Sequence, residues 1–200
     1  SSAGSSVNRF EKNFSEYLGG GFSVATTSGT SALELALKTL KISHGDEVIL
    51  PNLSFAASIN SILNVGAKPV VVDVNPETWT IDKNKILKKI SKKTKAIMLV
   101  HLYGQPCEVD EIKKISKLKK LFIIEDAAEA LGAMYKDSKI GLLGDVSCFS
   151  FYANKTMTTG EGGMVVTRHT ELAKRCKIMR LHGISRDAFD RYVSTKPAWF

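Results

Sequence analysis

The chain has 200 residues, with 28 Lys and Arg against 20 Asp and Glu, a net charge of +8 and 44% hydrophobic residues. That size and composition describe one domain, or a large part of one, able to bury its own core, which excludes a disulfide scaffold and a disordered tail. Cys107, Cys148 and Cys176 are odd in number, widely spaced and outside any Cys-x-x-Cys pattern, which argues against a structural metal and for a reducing compartment.

No apolar run reaches the roughly 20 residues that cross a bilayer. The polar opening Ser1-Ser2-Ala3-Gly4-Ser5-Ser6 is unlike a signal peptide. A cytoplasmic protein without a membrane partner is the expectation.

From residue 22 onward, short β-branched runs alternate with longer helical patterns. The strand Phe22–Thr26 precedes a helix over Ser31–Leu40, and Glu47–Leu50 precedes a helix over Phe55–Val65. The strand Pro69–Val74, a helix over Lys83–Ile90 and the strand Ala96–His101 come next. A helix over Val109–Leu118 and the strand Leu121–Glu125 follow, and Val146–Phe151, Met164–Thr167 and a helix over Glu171–Leu181 complete the series. Periodicity fades from Arg186 to Phe200. Fully apolar strands such as Val70-Val71-Val72 and Ala96-Ile97-Met98-Leu99-Val100 mark a sheet covered on both faces. The class is therefore α/β, a mostly parallel seven-stranded sheet between two layers of helices.

The surplus charge sits in Lys83 to Lys95 and Lys113 to Lys120, where lysine alternates with Ile and Leu as on the wet side of an amphipathic helix. Neither stretch holds an arginine, nor an aromatic before Phe122, so no nucleic-acid partner is expected.

Ligands of such sheets sit beyond the carboxyl ends of the strands. Three polar stretches lie there: Thr26 to Ser31, Glu125 to Glu129, and Ser150 to Gly163. No Gly-x-Gly-x-x-Gly, phosphate loop ending in Gly-Lys-Ser/Thr, or His-Glu-x-x-His occurs, which removes the commonest nucleotide and zinc readings.

Ser31 and Glu34 have capping-box spacing, so Ser28-Gly29-Thr30-Ser31 opens a helix whose free N–H groups suit a phosphate. The plain alternative is an ordinary cap. Asp126 ends a buried strand, where a carboxylate needs a cation or several donors. The protonated ring nitrogen of pyridoxal phosphate is one such cation, and a cap for the Ala127–Ala130 turn is the alternative. Lys155 follows the strand Val146–Phe151 and precedes the glycine-rich Thr158 to Gly163. It is either an amine nucleophile at a buried strand end or one more surface charge.

The chain resembles the DegT/StrS family of pyridoxal-phosphate-dependent nucleotide-sugar aminotransferases from about Phe10 to Arg186. The resemblance is carried by Ser28-Gly29-Thr30-Ser31-Ala32-Leu33, Gly45-Asp46-Glu47-Val48-Ile49, Gly66-Ala67-Lys68-Pro69-Val70, Val100-His101-Leu102-Tyr103-Gly104-Gln105-Pro106, Glu125 to Ala133, and Gly144-Asp145 with Phe149-Ser150-Phe151.

The resemblance implies the large domain of a fold-type I pyridoxal-phosphate transferase. It makes Lys155 the lysine that joins the cofactor covalently and moves protons, and Asp126 the partner of the ring nitrogen. Gly29, Thr30, Ser31 and Ser150 become phosphate-binding residues and Phe55 the ring stacked on the cofactor. Glu129 falls beside the cofactor's ring oxygen, where relatives often carry Gln or His; the carboxylate is shared with a branch similar to perosamine synthases. A lysine at 155, where related sugar dehydratases carry His, favours transamination. The resemblance further implies L-glutamate as donor, a nucleotide-linked keto-deoxysugar as acceptor with C4 the carbon aminated, no metal, and a homodimer. It implies residues 1–185 as the cofactor-binding domain with a helix ahead of Ser1, and 186–200 as the start of a connection to a small domain beyond Phe200. Two alternatives stay open: a pyridoxal enzyme that eliminates or isomerises, and a non-catalytic regulator on the same scaffold.

Overall fold

A computed structural model describes residues 4–181; the expected connection over 186–200 lies outside the described residues. The strands are β1 (Phe22–Thr26), β2 (Glu47–Pro51), β3 (Lys68–Val72), β4 (Thr94–Val100), β5 (Phe122–Asp126), the short pair β6 (Met134–Tyr135) and β7 (Ser138–Lys139), β8 (Val146–Ser150) and β9 (Gly163–Thr167). The helices are α1 (Ser5–Leu18), α2 (Gly29–Thr39), α3 (Ala56–Asn64), α4 (Lys83–Ile86), α5 (Val109–Lys119) and α6 (Thr170–Arg180).

Seven strands form one sheet in the order β1-β9-β8-β5-β4-β2-β3. From β8 to β3 every pairing is parallel, while β9 runs against both β8 and β1. All seven predicted strands are present, and the mostly parallel α/β architecture is the one expected. Strand geometry sends successive side chains to opposite faces, and the apolar strands use both. Val48, Leu50, Ala96, Met98 and Ile124 pack with α2, α3 and α6 residues such as Leu33, Ile62 and Cys176. Ile49, Ile97, Leu99 and Ile123 pack with Ile86 of α4 and with Val109 and Ile112 of α5. Phe14 and Leu18 of α1 cover Phe149, Met164 and Val166 on the β8–β9 part of that second face.

Three local features differ from the expectation. α1 has no counterpart in the predicted elements, because few of its residues are apolar; Val7, Phe10, Phe14 and Leu18 nonetheless recur at helical spacing. The predicted helix over Lys83–Ile90 is one α-turn that tightens into a 3-10 turn at Leu87–Lys89. The β6–β7 hairpin is too short to show a period.

β1 is an edge strand, and its outward backbone groups need partners. Glu11 of α1 accepts the Ala25 N–H at 2.9 Å. Arg180 of α6 pairs with the same carboxylate and donates to the Ala25 carbonyl at 3.2 Å. The side chains of Glu11 and Arg180 are only 8% and 17% exposed, so the pair is shielded from water. Two helices are thereby fastened to the strand that leads into α2. Glu11→Ala removes the carboxylate from a part-buried guanidinium and leaves the Ala25 N–H without its acceptor, and should cost about 1–3 kcal/mol, read as a lowered midpoint in denaturant unfolding.

Candidate active site

The parallel strands, and β1 beside them, all point one way, so the loops leaving β1, β2, β4, β5 and β8 gather at one edge of the sheet. A cleft of about 400 Å³ opens there. Gly29 and Thr30 from the start of α2, Phe55 at the cap of α3, Asp126 and Glu129 at the end of β5, and Ser150 and Lys155 after β8 all line it. Residues separated by more than 120 positions in sequence thus share one wall.

α2 starts one turn earlier than the spacing of Ser31 and Glu34 predicts. Ser28 is the cap, with its Oγ accepting the Ser31 N–H at 3.1 Å, and Glu34 instead accepts from Asn64 at 2.7 Å. Gly29 and Thr30 therefore stand in the first turn, where N–H groups lack intrahelical acceptors and the helix dipole favours an anion. Ser31 is committed to the turn itself, its hydroxyl 2.9 Å from that of Ser28 and 3.1 Å from that of Thr27. Only glycine fits at 29, because a Cβ there would lie 2.7 Å from the Ser150 Cβ. This close approach brings the Ser150 hydroxyl against the helix N-terminus, a built cradle for an anion.

Two acids end β5 and are treated in opposite ways. Glu125, fully buried, accepts from Ser147 Oγ at 2.6 Å, Gly144 N–H at 2.7 Å, Leu143 N–H at 2.9 Å, His101 Nε2 at 3.1 Å and Gly141 N–H at 3.4 Å. Burial alone would raise its pKa, but His101, Ser147 and the backbone donors outweigh it and hold the carboxyl below the ordinary glutamate range. The Cys107 N–H points at His101 Nδ1 at 3.1 Å, so that nitrogen carries no proton. Burial opposes a charge on the imidazole and Glu125 favours one; the N–H aimed at Nδ1 decides for the neutral ring with its proton on Nε2, donated to Glu125.

Asp126 points to the other face. It accepts from Ser58 Oγ of α3 at 2.6 Å and from the Ala128 N–H at 3.2 Å. Burial dominates these donors and pushes its pKa up. It is a carboxylate at the floor of a cleft with fewer donors than its charge calls for.

Lys155 Nζ lies 3.1 Å from Glu129 Oε1 and 5.8 Å from the centre of the Phe55 ring. The other oxygen of Glu129 accepts the Tyr103 N–H at 3.0 Å, at a residue held in the left-handed region with φ 52°. The lysine side chain is only 16% exposed, so it belongs to the cleft and not to the solvated lysines elsewhere. Phe55 is 71% exposed and presents its ring to the opening.

The family model for the DegT/DnrJ/EryC1/StrS aminotransferases matches residues 1–199. The chain belongs to this family. It is 48% identical over 185 residues to the GDP-perosamine synthase of Escherichia coli O157:H7, covering 92% of this chain and 51% of that protein. Among solved structures, an aminotransferase from Psychrobacter cryohalolentis superposes with a TM-score of 0.90 at 38% identity, over 98% of this chain and 50% of the other. NtdA of Bacillus subtilis, solved with bound cofactor PMP, superposes with a TM-score of 0.86 at 37% identity, over 92% of this chain and 41% of the other. The chain spans about half the length of the curated relatives it matches. The fold is that of the fold-type I pyridoxal-phosphate transferases.

Sequence reasoning did not single out Ser58, Glu125 or His101. Ser58 lies 68 positions from the carboxylate it serves, and nothing local marks that contact. Glu125 and His101 had a signal: each is a charged or polar residue closing an apolar strand, the same pattern that marked Asp126. Gly144, whose N–H serves Glu125, has no room for a side chain: a Cβ there would lie 2.8 Å from the Ile123 carbonyl.

A carboxyl depressed by folding stabilises in full above its unfolded pKa, near 4.3, and loses that contribution as pH falls through the folded value. The stability that Glu125 contributes should therefore be lost as pH falls below about 4, while Asp126, raised by burial, works in the opposite sense. Glu125→Gln can keep one acceptor oxygen for Ser147, Leu143 and Gly144 but turns its NH2 toward the His101 Nε2–H and the Gly141 N–H, and should be less stable at neutral pH by about 1–3 kcal/mol and less acid-sensitive. Unfolding midpoints measured across pH check both statements.

Proposed function

We propose that the full protein is a pyridoxal-phosphate-dependent aminotransferase that moves an amino group from L-glutamate to a keto carbon, C4, of a nucleotide-linked keto-deoxysugar, working in the cytoplasm as a homodimer. One observation carries this reading: a shielded lysine, an under-compensated buried carboxylate and a helix N-terminus closed by a serine all face one cleft. The relatives' names support the class of acceptor, and the PMP bound in one of the solved relatives supports the cofactor.

The residues fit the cofactor. The first turn of α2 at Gly29 and Thr30, with Ser150, would hold its phosphate, and Phe55 offers an aromatic face to its ring. Asp126 would keep a proton on the ring nitrogen, and that cation supplies the counter-charge its burial demands. Glu129 would lie beside the ring oxygen and already touches the lysine amine. When bound, pyridoxal phosphate supplies a ring that withdraws electrons from the carbon losing its proton. Lys155 Nζ takes that proton from the α-carbon of the donor and returns one to the acceptor carbon, so one amine serves as tether and as acid–base group.

Adding L-glutamate to the loaded full-length protein should replace the visible absorbance of the lysine-bound cofactor with that of the amine form and release an equivalent amount of 2-oxoglutarate. Lys155→Ala should abolish both turnover and that absorbance; a variant that still transaminated normally would contradict the assignment. Gly29→Ala forces a methyl against Ser150 and should weaken affinity for pyridoxamine phosphate by roughly tenfold, the consequence of an overpacking cost of about 1–3 kcal/mol, measured by titration calorimetry.

A further inference from the structure

The charge of this chain is not spread over its surface. Residues 83 to 120 contain twelve lysines, three acidic residues and no arginine, a surplus larger than the +8 of the whole chain. Within that stretch, and at Asp82 just before it, the charges are sorted by position. Asp82, Glu108, Asp110 and Glu111 stand at the starts of α4 and α5, at the catalytic edge of the sheet, where they engage Lys85, Lys83, Lys136 and Lys114. The ends of the same elements carry Lys88, Lys89, Lys92, Lys117, Lys119 and Lys120, all exposed and without an ion pair among the described residues.

These ends meet. The chain enters β4 through Lys92 and Lys93 and enters β5 through Lys119 and Lys120, and β4 and β5 are neighbours with Ala96 opposite Phe122. Adjacent strands lie about 4.8 Å apart, so the two lysine runs form one patch at the edge of the sheet opposite the cleft. The nearby acids are already engaged: Glu47 accepts from Ser91 and pairs with Lys68, and Asp145 accepts the Ile123 N–H. Exposed apolar side chains stand among the lysines, Leu118 at 72%, Leu87 at 49% and Phe122 at 39% exposure.

We propose that this lysine-rich edge docks the protein on an anionic lipid surface. Protein–protein interfaces are depleted in lysine and enriched in arginine, and nucleic-acid surfaces draw on arginine and several stacking aromatics; the patch has no arginine and one exposed aromatic, Phe122. A membrane surface asks only for mobile positive charge near headgroups and a few apolar anchors, which is what the edge presents. No helix among the described residues is long and apolar enough to cross a membrane, so the contact is peripheral. Because the cleft opens at the far edge, docking leaves it facing water. The inference is independent of the chemistry assigned to the cleft.

The test is co-sedimentation of the full-length protein with phosphatidylcholine vesicles, with and without phosphatidylglycerol. Binding should require phosphatidylglycerol and fade as salt is added. Reversing Lys89, Lys119 and Lys120 to Glu should weaken it by at least roughly tenfold, while reversing Lys12, Lys174 and Lys177, on α1 and α6, should change it by less than about twofold. Lys→Gln at the same three patch positions should give an intermediate loss and guards against misfolding, which circular dichroism monitors. Leu118→Ser should weaken binding further at high salt, where apolar contact dominates. Absence of binding to phosphatidylglycerol vesicles, equal loss from both triple reversals, or tighter binding to single-stranded RNA than to the vesicles would overturn the proposal.

Discussion

Asp126 is a carboxylate carried to the end of a buried strand and given, among the described residues, two hydrogen bonds, from Ser58 and the Ala128 N–H. A charge so placed is unfavourable unless a cation reaches it. Its neighbour Glu125 shows that the fold is able to satisfy a buried acid, since five donors surround it. The difference follows from strand geometry, which turns the two side chains to opposite faces. Glu125 faces the loop from Gly141 to Gly144 and gathers its N–H groups, which fastens β5 to β8 and, through His101, to β4. Asp126 faces α3 and the cleft, where the deficit remains for a ligand to fill.

The rest of the site is arranged around that deficit. Six of the seven strands run in one direction, so their outgoing loops deliver Gly29, Phe55, Asp126 and Lys155 to one edge. The close contact between Gly29 and Ser150 brings an anion cradle to the same wall, and Glu129 ties the lysine to the Tyr103 peptide. A positive ring nitrogen and a negative phosphate on one small molecule answer the two unmet demands of the cleft at opposite ends.

Much of this was legible in the sequence because it is local. Apolar runs such as Ala96 to Val100 are strands in any context that covers both faces, and a polar residue closing such a run, as Asp126 does, is conspicuous. Lys155 was harder, since nothing but its distance from the strand end separates it from the other lysines, and its shielding arises from Phe55 and Glu129. What failed were features that depend on contacts distant in sequence or on too few residues to show a period. The cap of α2 moved to Ser28 because the strand–helix junction there is packed against Ser150, a contact across more than 120 positions. α1 is held by Phe14 packing on β8 and by Glu11 on the β1 edge, neither visible in its own polar sequence. The lysine-rich stretches read as ordinary wet helix faces; only the pairing of β4 with β5 shows that their ends converge.

One lysine among many, Lys155, is assigned to reach the cofactor beside Asp126. Borohydride reduction of the loaded full-length protein, followed by proteolysis and mass spectrometry, tests that assignment directly. A single cofactor adduct is expected, on the peptide containing Lys155. An adduct on any other lysine, or none, would contradict it.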